Sequence, residues 1–174
     1  MGKKIILVFG DLMLDEYVYG TVDRISPEAP IPVLKKTDTD YKLGGAANVA
    51  YNLSRLKEAV EVFGYIGKDA NGSIIKQKLI DAGISCDGVL DSLVTTTTKT
   101  RYVSGGKQML RLDAEDYNSQ YIENEFFDYD KVVIATHADE ALNIIENPTL
   151  EEAMILKNFK YRENTAIIHF DDSI

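Results

Sequence analysis

The stretch Gly44-Gly45-Ala46-Ala47-Asn48 joins a paired-glycine turn to a segment of helical character. Val49, Leu53 and Leu56 follow it at helical spacing, which predicts a helix that begins at the glycine pair. Glycine allows a ligand to approach the backbone closely, and the N–H groups at a helix N-terminus bind polar and anionic groups. We therefore expect the functional site of this chain at this turn.

Predicted strands and helices alternate on both sides of the turn. The apolar run Lys4 to Phe9, closed by Gly10, predicts a strand buried on both faces of a parallel sheet. Residues 61–66 are predicted as the next strand, and residues 72–82 as a helix that ends at Gly83. This order predicts an α/β fold, a doubly wound sheet with helices on both faces.

Two pairs of extended segments are predicted outside this sheet. Residues 17–35 contain Pro27, Pro30 and Pro32, which suit an edge ribbon or lid because proline lacks the N–H group of a central strand. Residues 99–113 form two short strands around Gly105-Gly106, a connection typical of a hairpin with positive φ angles. We expect both hairpins at one edge of the sheet.

The composition changes at about residue 118. Residues 118–174 contain 4 basic and 12 acidic residues and no glycine, whereas all 12 glycines lie at or before Gly106. Such a break indicates a second segment of the chain. Its predicted elements have the order needed to complete the sheet: a strand over Lys131 to Ala135, a helix over Ala138 to Ile145, a helix opened by Pro148 and running to about Phe159, and a strand over Thr165 to Phe170.

The composition also argues against several classes of function. The net charge of −9 disfavours binding to nucleic acid, which requires clustered Lys and Arg. No apolar run approaches the roughly 20 residues that span a membrane, so we expect a cytoplasmic protein. The single cysteine, Cys86, cannot form an intramolecular disulfide, and we do not expect a nucleophile there because no histidine is near it in sequence.

Four motifs occur in order along residues 3–117. They are Gly10-Asp11-Leu12-Met13-Leu14-Asp15, Arg24-Ile25-Ser26-Pro27-Glu28-Ala29-Pro30-Ile31-Pro32-Val33, Gly44-Gly45-Ala46-Ala47-Asn48-Val49-Ala50 and Thr98-Lys99-Thr100-Arg101. Together they resemble the ribokinase-like (PfkB) carbohydrate kinases, and most closely the heptose-7-phosphate kinase branch. The resemblance implies a ribokinase-like α/β sheet with helices on both faces, of which this chain has the N-terminal half, plus a small β-ribbon lid.

The resemblance also implies a sugar site at the glycine turn. A carboxylate accepts hydrogen bonds from two hydroxyls at once, an Asn side chain donates and accepts, and cationic side chains pair with phosphate oxygens. The implied sugar ligands are Asp15, Gly44, Gly45 and Asn48, with Asp11 supporting the turn, and the implied ligands of a phosphate on the sugar are Lys99, Arg101 and Arg24.

Simpler interpretations remain open for these residues. A strand-end Asp often only caps a turn, and a glycine pair can be a plain entry to a helix. Lys99 and Arg101 occupy alternate positions of a predicted strand and can form a solvated face. The order of the motifs favours a functional role for the glycines, Asn48 and Asp15 and adds little for Arg24.

The catalytic part of the family pattern has no counterpart in the sequence. In these kinases a late Gly-Ala-Gly-Asp motif supplies the anion-hole amides and the Asp that takes the hydroxyl proton, yet no glycine follows Gly106. We therefore assign no catalytic residue, and we expect the site for the ATP and Mg²⁺ that the family uses to be largely absent. The expected function is a sugar kinase-like chain that transfers no phosphate alone. The alternatives are a noncatalytic sugar or sugar-phosphate binding module and a partner subunit, and the family implies a homodimer joined through the lid ribbon.

Residues 128–174 are similar to a different family. The runs Lys131-Val132-Val133-Ile134-Ala135-Thr136-His137-Ala138-Asp139-Glu140-Ala141-Leu142 and Asn147-Pro148-Thr149 resemble a segment of flavin-dependent amine oxidase-like dehydrogenases. No GxGxxG turn accompanies them, so no flavin is expected, and a flavin-linked oxidoreductase fragment is the weakest alternative. We interpret residues 118–174 as a segment of different origin. His137 and His169 have no metal-binding spacing, which favours structural roles and predicts no metal site.

Overall fold

The apolar run near the N-terminus forms the first strand of a parallel sheet. In the computed structural model residues 5–116 and 129–161 are described, and these residues form eight strands and four helices. The elements are β1 (Ile5–Gly10), β2 (Leu12–Ile25), β3 (Pro32–Gly44), α1 (Gly45–Arg55), β4 (Ala59–Gly67), α2 (Ala70–Asp81), β5 (Ser85–Ser92), β6 (Thr98–Ser104), β7 (Lys107–Ala114), β8 (Lys131–Ala135), α3 (Ala138–Ile144) and α4 (Leu150–Lys157).

Four parallel strands make the first sheet, in the order β5-β4-β1-β8. β1 is paired on both sides, and its residues Leu7 and Val8 are fully buried, which explains its continuous apolar sequence. The connections from β1 to β4 and from β4 to β5 advance in the same direction. Right-handed crossovers therefore place α1 and α2 on one face of the sheet, where the two helices contact each other.

The hydrophobic core connects this sheet, its helices and the start of β2. α1 contributes three fully buried alanines, Ala46, Ala47 and Ala50, whereas α2 contributes the larger Ile75 and Leu79. Small side chains let the first turns of α1 approach the sheet closely. This packing fixes the position of the helix N-terminus at the carboxyl end of β1.

The second sheet has the strand order β3-β2-β6-β7. β2 pairs antiparallel with β3 and parallel with β6, and β6 pairs antiparallel with β7. The predicted hairpin at Gly105-Gly106 is confirmed, with φ angles of 54° and 75°. The lid predicted over 17–35 is longer than expected, since β3 continues to Gly44. The two hairpins are also joined into one sheet instead of decorating an edge separately.

Residues His137–Ile174 form a second unit, of which α3 and α4 are described. The expectation that Pro148 opens the second helix is wrong. α4 begins at Leu150 because the Thr149 hydroxyl caps it, accepting the Glu152 N–H at 3.2 Å. The predicted strand over 165–170, with His169, lies outside the described residues. None of the four described helices is long and apolar enough to cross a membrane.

Candidate functional site

The chain passes from the first sheet to the second at Asp11, directly after the carboxyl end of β1. β3 returns to the same point, where Gly44 ends the strand and α1 begins. The N–H of Ala46 donates to the carbonyl oxygen of Asp11 at 2.8 Å, and Leu12 forms an isolated bridge with Gly45. The glycine turn therefore lies at the carboxyl end of a parallel strand, where α/β sheets commonly bind ligands.

The Asp15 carboxylate lies beside Gly44. A Cβ atom at Gly44 would be 3.0 Å from Asp15 Oδ2 and 3.2 Å from its Cγ, so the carboxylate occupies the space that a side chain would need. Gly45 has a φ of +55°, and a Cβ there would collide with the carbonyl oxygen of Asp11. The backbone therefore requires glycine at position 45, whereas glycine at position 44 leaves the space that the Asp15 carboxylate occupies.

Arg101 holds one oxygen of this carboxylate. Its Nη1 donates to Asp15 Oδ1 at 2.7 Å and to the carbonyl oxygen of Lys99 at 3.0 Å, and its guanidinium carbon lies 5.3 Å from the Tyr17 ring centre. Burial alone would lower the pKa of Arg101, but the hydrogen bond and the negative charge of Asp15 outweigh it and raise that pKa. Arg101 therefore stays cationic and orients Asp15, with Oδ2 beside Gly44.

Lys99 lies on the same face of the second sheet as Asp15. The two residues are direct partners in the register of β6 with β2. Its Nζ is 3.3 Å from Asp113 Oδ2 and 3.3 Å from Glu115 Oε2, and we call these two carboxylates the acidic pair. Arg111 Nε also donates to Asp113 Oδ1, at 2.8 Å. Burial would raise the pKa of Asp113, but its hydrogen bonds from Arg111 and Lys99 outweigh this and lower the pKa.

Asn48 is exposed on α1 and makes no side-chain hydrogen bond within the described residues. It lines a cavity of about 590 Å³ together with residues of β3, including Tyr41 and Lys42, and of α2. Neither Asp15 nor the glycine pair lines this cavity. The structure thus places Asn48 near the predicted site without bringing it into contact with Asp15.

Arg24 is separated from the other predicted residues. It is exposed and lies near the tip of the lid ribbon, opposite Val33. It lies nine positions along β2 from Asp15, a distance of about 30 Å at the usual rise of an extended strand. The geometry of one copy of this chain therefore does not join Arg24 to Asp15, Lys99 and Arg101.

Cys86 and His137 have structural surroundings. The Cys86 thiol lies 3.8 Å from the carbonyl oxygens of Lys76 and Ile84, and burial raises its pKa, which disfavours the reactive thiolate. The ring of His137 stacks on Tyr161 with centres 4.5 Å apart, and its backbone N–H donates to Glu140 at the start of α3. Neither group has the setting of a catalytic side chain.

Three neighbours of the predicted residues were not expected to be part of the site. Lys42 lies opposite Asp15 on β3, with its Nζ 4.7 Å from the Tyr17 ring centre, and the acidic pair lies beside Lys99. Alternation along β7 and onto the next residue is the sequence signal that could have identified Asp113 on the strand and Glu115 just after it. The polar lid sequence around Lys42 contains no comparable signal.

Comparisons with known proteins agree with the first resemblance. The family profile described as pfkB family carbohydrate kinase matches residues 3–170. Bifunctional protein HldE of Caulobacter vibrioides is 46% identical over 114 residues, which are 65% of this chain and 24% of that protein. D-beta-D-heptose 7-phosphate kinase of Bordetella bronchiseptica is 37% identical over 150 residues, 82% of this chain and 48% of that protein. The chain thus spans about a quarter and about half of the lengths of these relatives.

Solved structures share the fold. A ribokinase from Cryptococcus neoformans in complex with ADP has a TM-score of 0.59 at 21% identity, over 81% of this chain and 44% of that one. A carbohydrate kinase from Agrobacterium tumefaciens has a TM-score of 0.53 at 26% identity, over 64% of this chain and 35% of that one. The ribokinase-like α/β fold is therefore confirmed. The family match also extends across residues 118–170 without support for a flavin-enzyme segment, and the separate origin of this segment stays a prediction.

Proposed function

The chain belongs to the pfkB family of carbohydrate kinases, and we propose that it provides the sugar-phosphate site of a heptose-7-phosphate kinase. Such an enzyme transfers a phosphoryl group from ATP to a sugar hydroxyl. The proposal is supported by the similarity to the D-beta-D-heptose 7-phosphate kinase of Bordetella bronchiseptica and to bifunctional HldE proteins. Because the chain spans half or less of these relatives, we propose the sugar site and the substrate class separately from catalysis.

The arrangement of Asp15 is the observation on which the proposal depends most. Its Oδ1 is held by Arg101, and its Oδ2 lies over Gly44 at the entry of α1. An ionised carboxylate fixed in this way accepts hydrogen bonds from sugar hydroxyls without first having to be ordered. The glycine turn leaves room for the sugar ring against the backbone.

We expect ATP with Mg²⁺ as the phosphoryl donor, and no flavin. Phosphoryl transfer requires the donor and the hydroxyl to be held in line, together with groups that stabilise the transferring phosphate. Within residues 5–116 and 129–161 no group of three or more His, Cys, Asp or Glu is placed to hold a metal ion. Mg²⁺ at such sites is held mainly by the nucleotide phosphates and one or two carboxylates, so a larger cluster is not required, and we assign no step to the metal. A yellow purified protein would contradict the absence of flavin.

The proposal is tested by calorimetric titration and an ADP-release assay on the purified chain. We expect saturable heat with D-β-D-heptose 7-phosphate and no ADP release above the rate without sugar. A noncatalytic sugar-phosphate binding module is the second candidate, favoured because the orientation of the Asp15 carboxylate beside Gly44 supports sugar binding independently of a phosphoryl donor. Sugar-dependent ADP release that Asp15→Ala abolishes would show a complete kinase instead. The absence of any saturable heat would contradict both candidates.

We also propose that two copies associate through the lid ribbon, and that nucleic acid and membranes are not partners. Ile25 and Ile31, which flank the tip of the ribbon, are 61% and 57% exposed. Apolar side chains of this exposure are suited to burial against a second copy. Sedimentation equilibrium would contradict this association if the chain remained monomeric at every concentration.

A further inference from the structure

The acidic pair forms ion pairs with Lys99, one of the cations that we expect to bind a sugar phosphate. Lys99 contacts both Asp113 and Glu115 at 3.3 Å, and Asp113 also accepts a hydrogen bond from Arg111. The side chains of Lys99 and Asp113 are only 21% and 23% exposed, so water screens this cluster less than it screens a surface ion pair. Two carboxylates thus offset the positive charge of Lys99.

The position of the acidic pair fits the anionic end of a long sugar phosphate. β7 lies two strands from β2, so the backbone of Asp113 is about 10 Å from that of Asp15, with Lys99 on the strand between them. This distance is comparable with the length of a seven-carbon sugar phosphate from its ring hydroxyls to its phosphate. A sugar held at Asp15 would therefore bring a terminal phosphate to Lys99, where the carboxylates now lie.

We propose that Asp113, assisted by Glu115, is a specificity-determining residue that a substrate phosphate displaces from Lys99. This inference rests on the proposed function, because it concerns the phosphate end of the same site. Exchange of one anion for another makes phosphate binding selective. A phosphate that is also anchored by its sugar at Asp15 can replace the acidic pair, whereas free inorganic phosphate lacks that anchor.

A different role for Asp113 predicts the opposite result. If Asp113 only positions Lys99 for the phosphate, its removal lets the lysine move and weakens binding of the phosphorylated sugar. If Asp113 competes with the phosphate, its removal strengthens that binding. Binding of the neutral sugar separates these two roles of Asp113 from a general effect on the site, because a sugar without phosphate does not contact Lys99.

The experiment is calorimetric titration of the wild-type chain and Asp113→Asn with D-β-D-heptose 7-phosphate, the same heptose without phosphate, and inorganic phosphate. We expect the Kd of the phosphorylated sugar to fall about two- to fivefold in the variant, the range expected when one such ion pair no longer has to be broken. The Kd of the neutral heptose should stay within about twofold. An unchanged or higher Kd for the phosphorylated sugar would overturn the proposal.

Asp23→Asn is the matched control, because it removes one exposed carboxylate from the same sheet near the tip of the lid ribbon. It should leave all three titrations unchanged. If Asp113→Asn does not fold, Glu115→Gln removes one contact to Lys99 at the end of β7 and should shift the Kd in the same direction by a smaller factor. Failure of the wild-type chain to bind either sugar would instead contradict the proposed function.

Discussion

Gly44 and Gly45 are adjacent, but a methyl group would meet different neighbours at the two positions. Gly44 has an extended backbone with a φ of −117°, which alanine adopts freely, and its new Cβ would press on side chains alone, the Asp15 carboxylate and the Met13 Cβ. Gly45 has a φ of +55°, and its Cβ would collide with backbone. Gly45→Ala should therefore lower the free energy of unfolding by about 2 kcal/mol or more. Gly44→Ala should cost less than about 1 kcal/mol and act mainly on sugar binding.

Denaturant unfolding and calorimetric titration of the two variants check this prediction. Gly44→Ala should fold normally and bind D-β-D-heptose 7-phosphate at least about tenfold more weakly, because the methyl group moves Asp15 Oδ2. Equal losses of stability in both variants would contradict the difference between the two glycines, and an unchanged Kd for Gly44→Ala would show that the carboxylate does not depend on the space at Gly44.

The residue types of the site were predictable from sequence, but their pairing was not. Asp15 and Arg101 are 86 residues apart, and their ion pair depends on the parallel register of β2 with β6. The pairing of Lys99 with Asp113 depends on a bulge between Tyr102 and Val103. An unbroken hairpin would place Leu112 opposite Lys99, and no sequence signal marks the bulge.

At the scale of elements, Asp69 connects α2 to the strand that carries Lys99 and Arg101. Its Oδ1 caps α2 by accepting the Gly72 N–H at 2.8 Å, and its Oδ2 accepts the Thr96 N–H at 2.8 Å just before β6. Asp69→Asn retains one acceptor oxygen and loses the other together with the charge. We expect it to lower the free energy of unfolding by about 1–2 kcal/mol at neutral pH.

The effect of Asp69→Asn should depend on pH. Burial would raise the pKa of Asp69, but hydrogen bonds from Thr96, Gly72 and Asn71 outweigh it and lower the pKa below 3.8. A lowered pKa in the folded state stabilises the protein above the unfolded value, and that contribution is lost as the pH falls through the folded pKa. Unfolding measured from neutral pH to below about pH 4 should show wild type and variant converging. A constant difference would contradict a role for the charge.

Strands with continuous apolar sequence were predictable, and polar strands were not. β8 has the predicted bounds because its five residues are nearly all apolar. β5 was not predicted, since Ser85–Ser92 mixes acidic and small residues around Gly88 and has no regular alternation. The length of the lid was likewise not predictable, because β3 has a polar sequence. Pairing with β2, and not burial, keeps β3 extended.

At the scale of the whole molecule, β8 connects the acidic segment to the kinase-like sheet. It pairs in parallel with β1, and Val133 packs against the core while Val132 is 42% exposed. Val133→Asp should lower the free energy of unfolding by about 2–4 kcal/mol, because it buries a charge without a partner. Val132→Asp on the opposite face is the matched control and should cost less than about 1 kcal/mol.

Chemical denaturation of these two variants tests whether the strand belongs to the sheet. Equal and small effects would show that β8 does not pack against the core in solution.

The sequence predicted the strand itself, and it predicted the order of elements needed to complete the sheet. It did not predict the family match through residue 170, because the acidic composition and the loss of glycine indicated a break.

The sugar site at Asp15 is the central claim, and titration of D-β-D-heptose 7-phosphate into wild type, Asp15→Asn and Asp23→Asn tests it most directly. Asp15→Asn removes the charge that Arg101 orients and keeps the size of the side chain. We predict saturable binding to wild type and Asp23→Asn, and at least about a tenfold weaker Kd for Asp15→Asn. Equal affinity in all three proteins, or no saturable binding to wild type, would contradict the assignment.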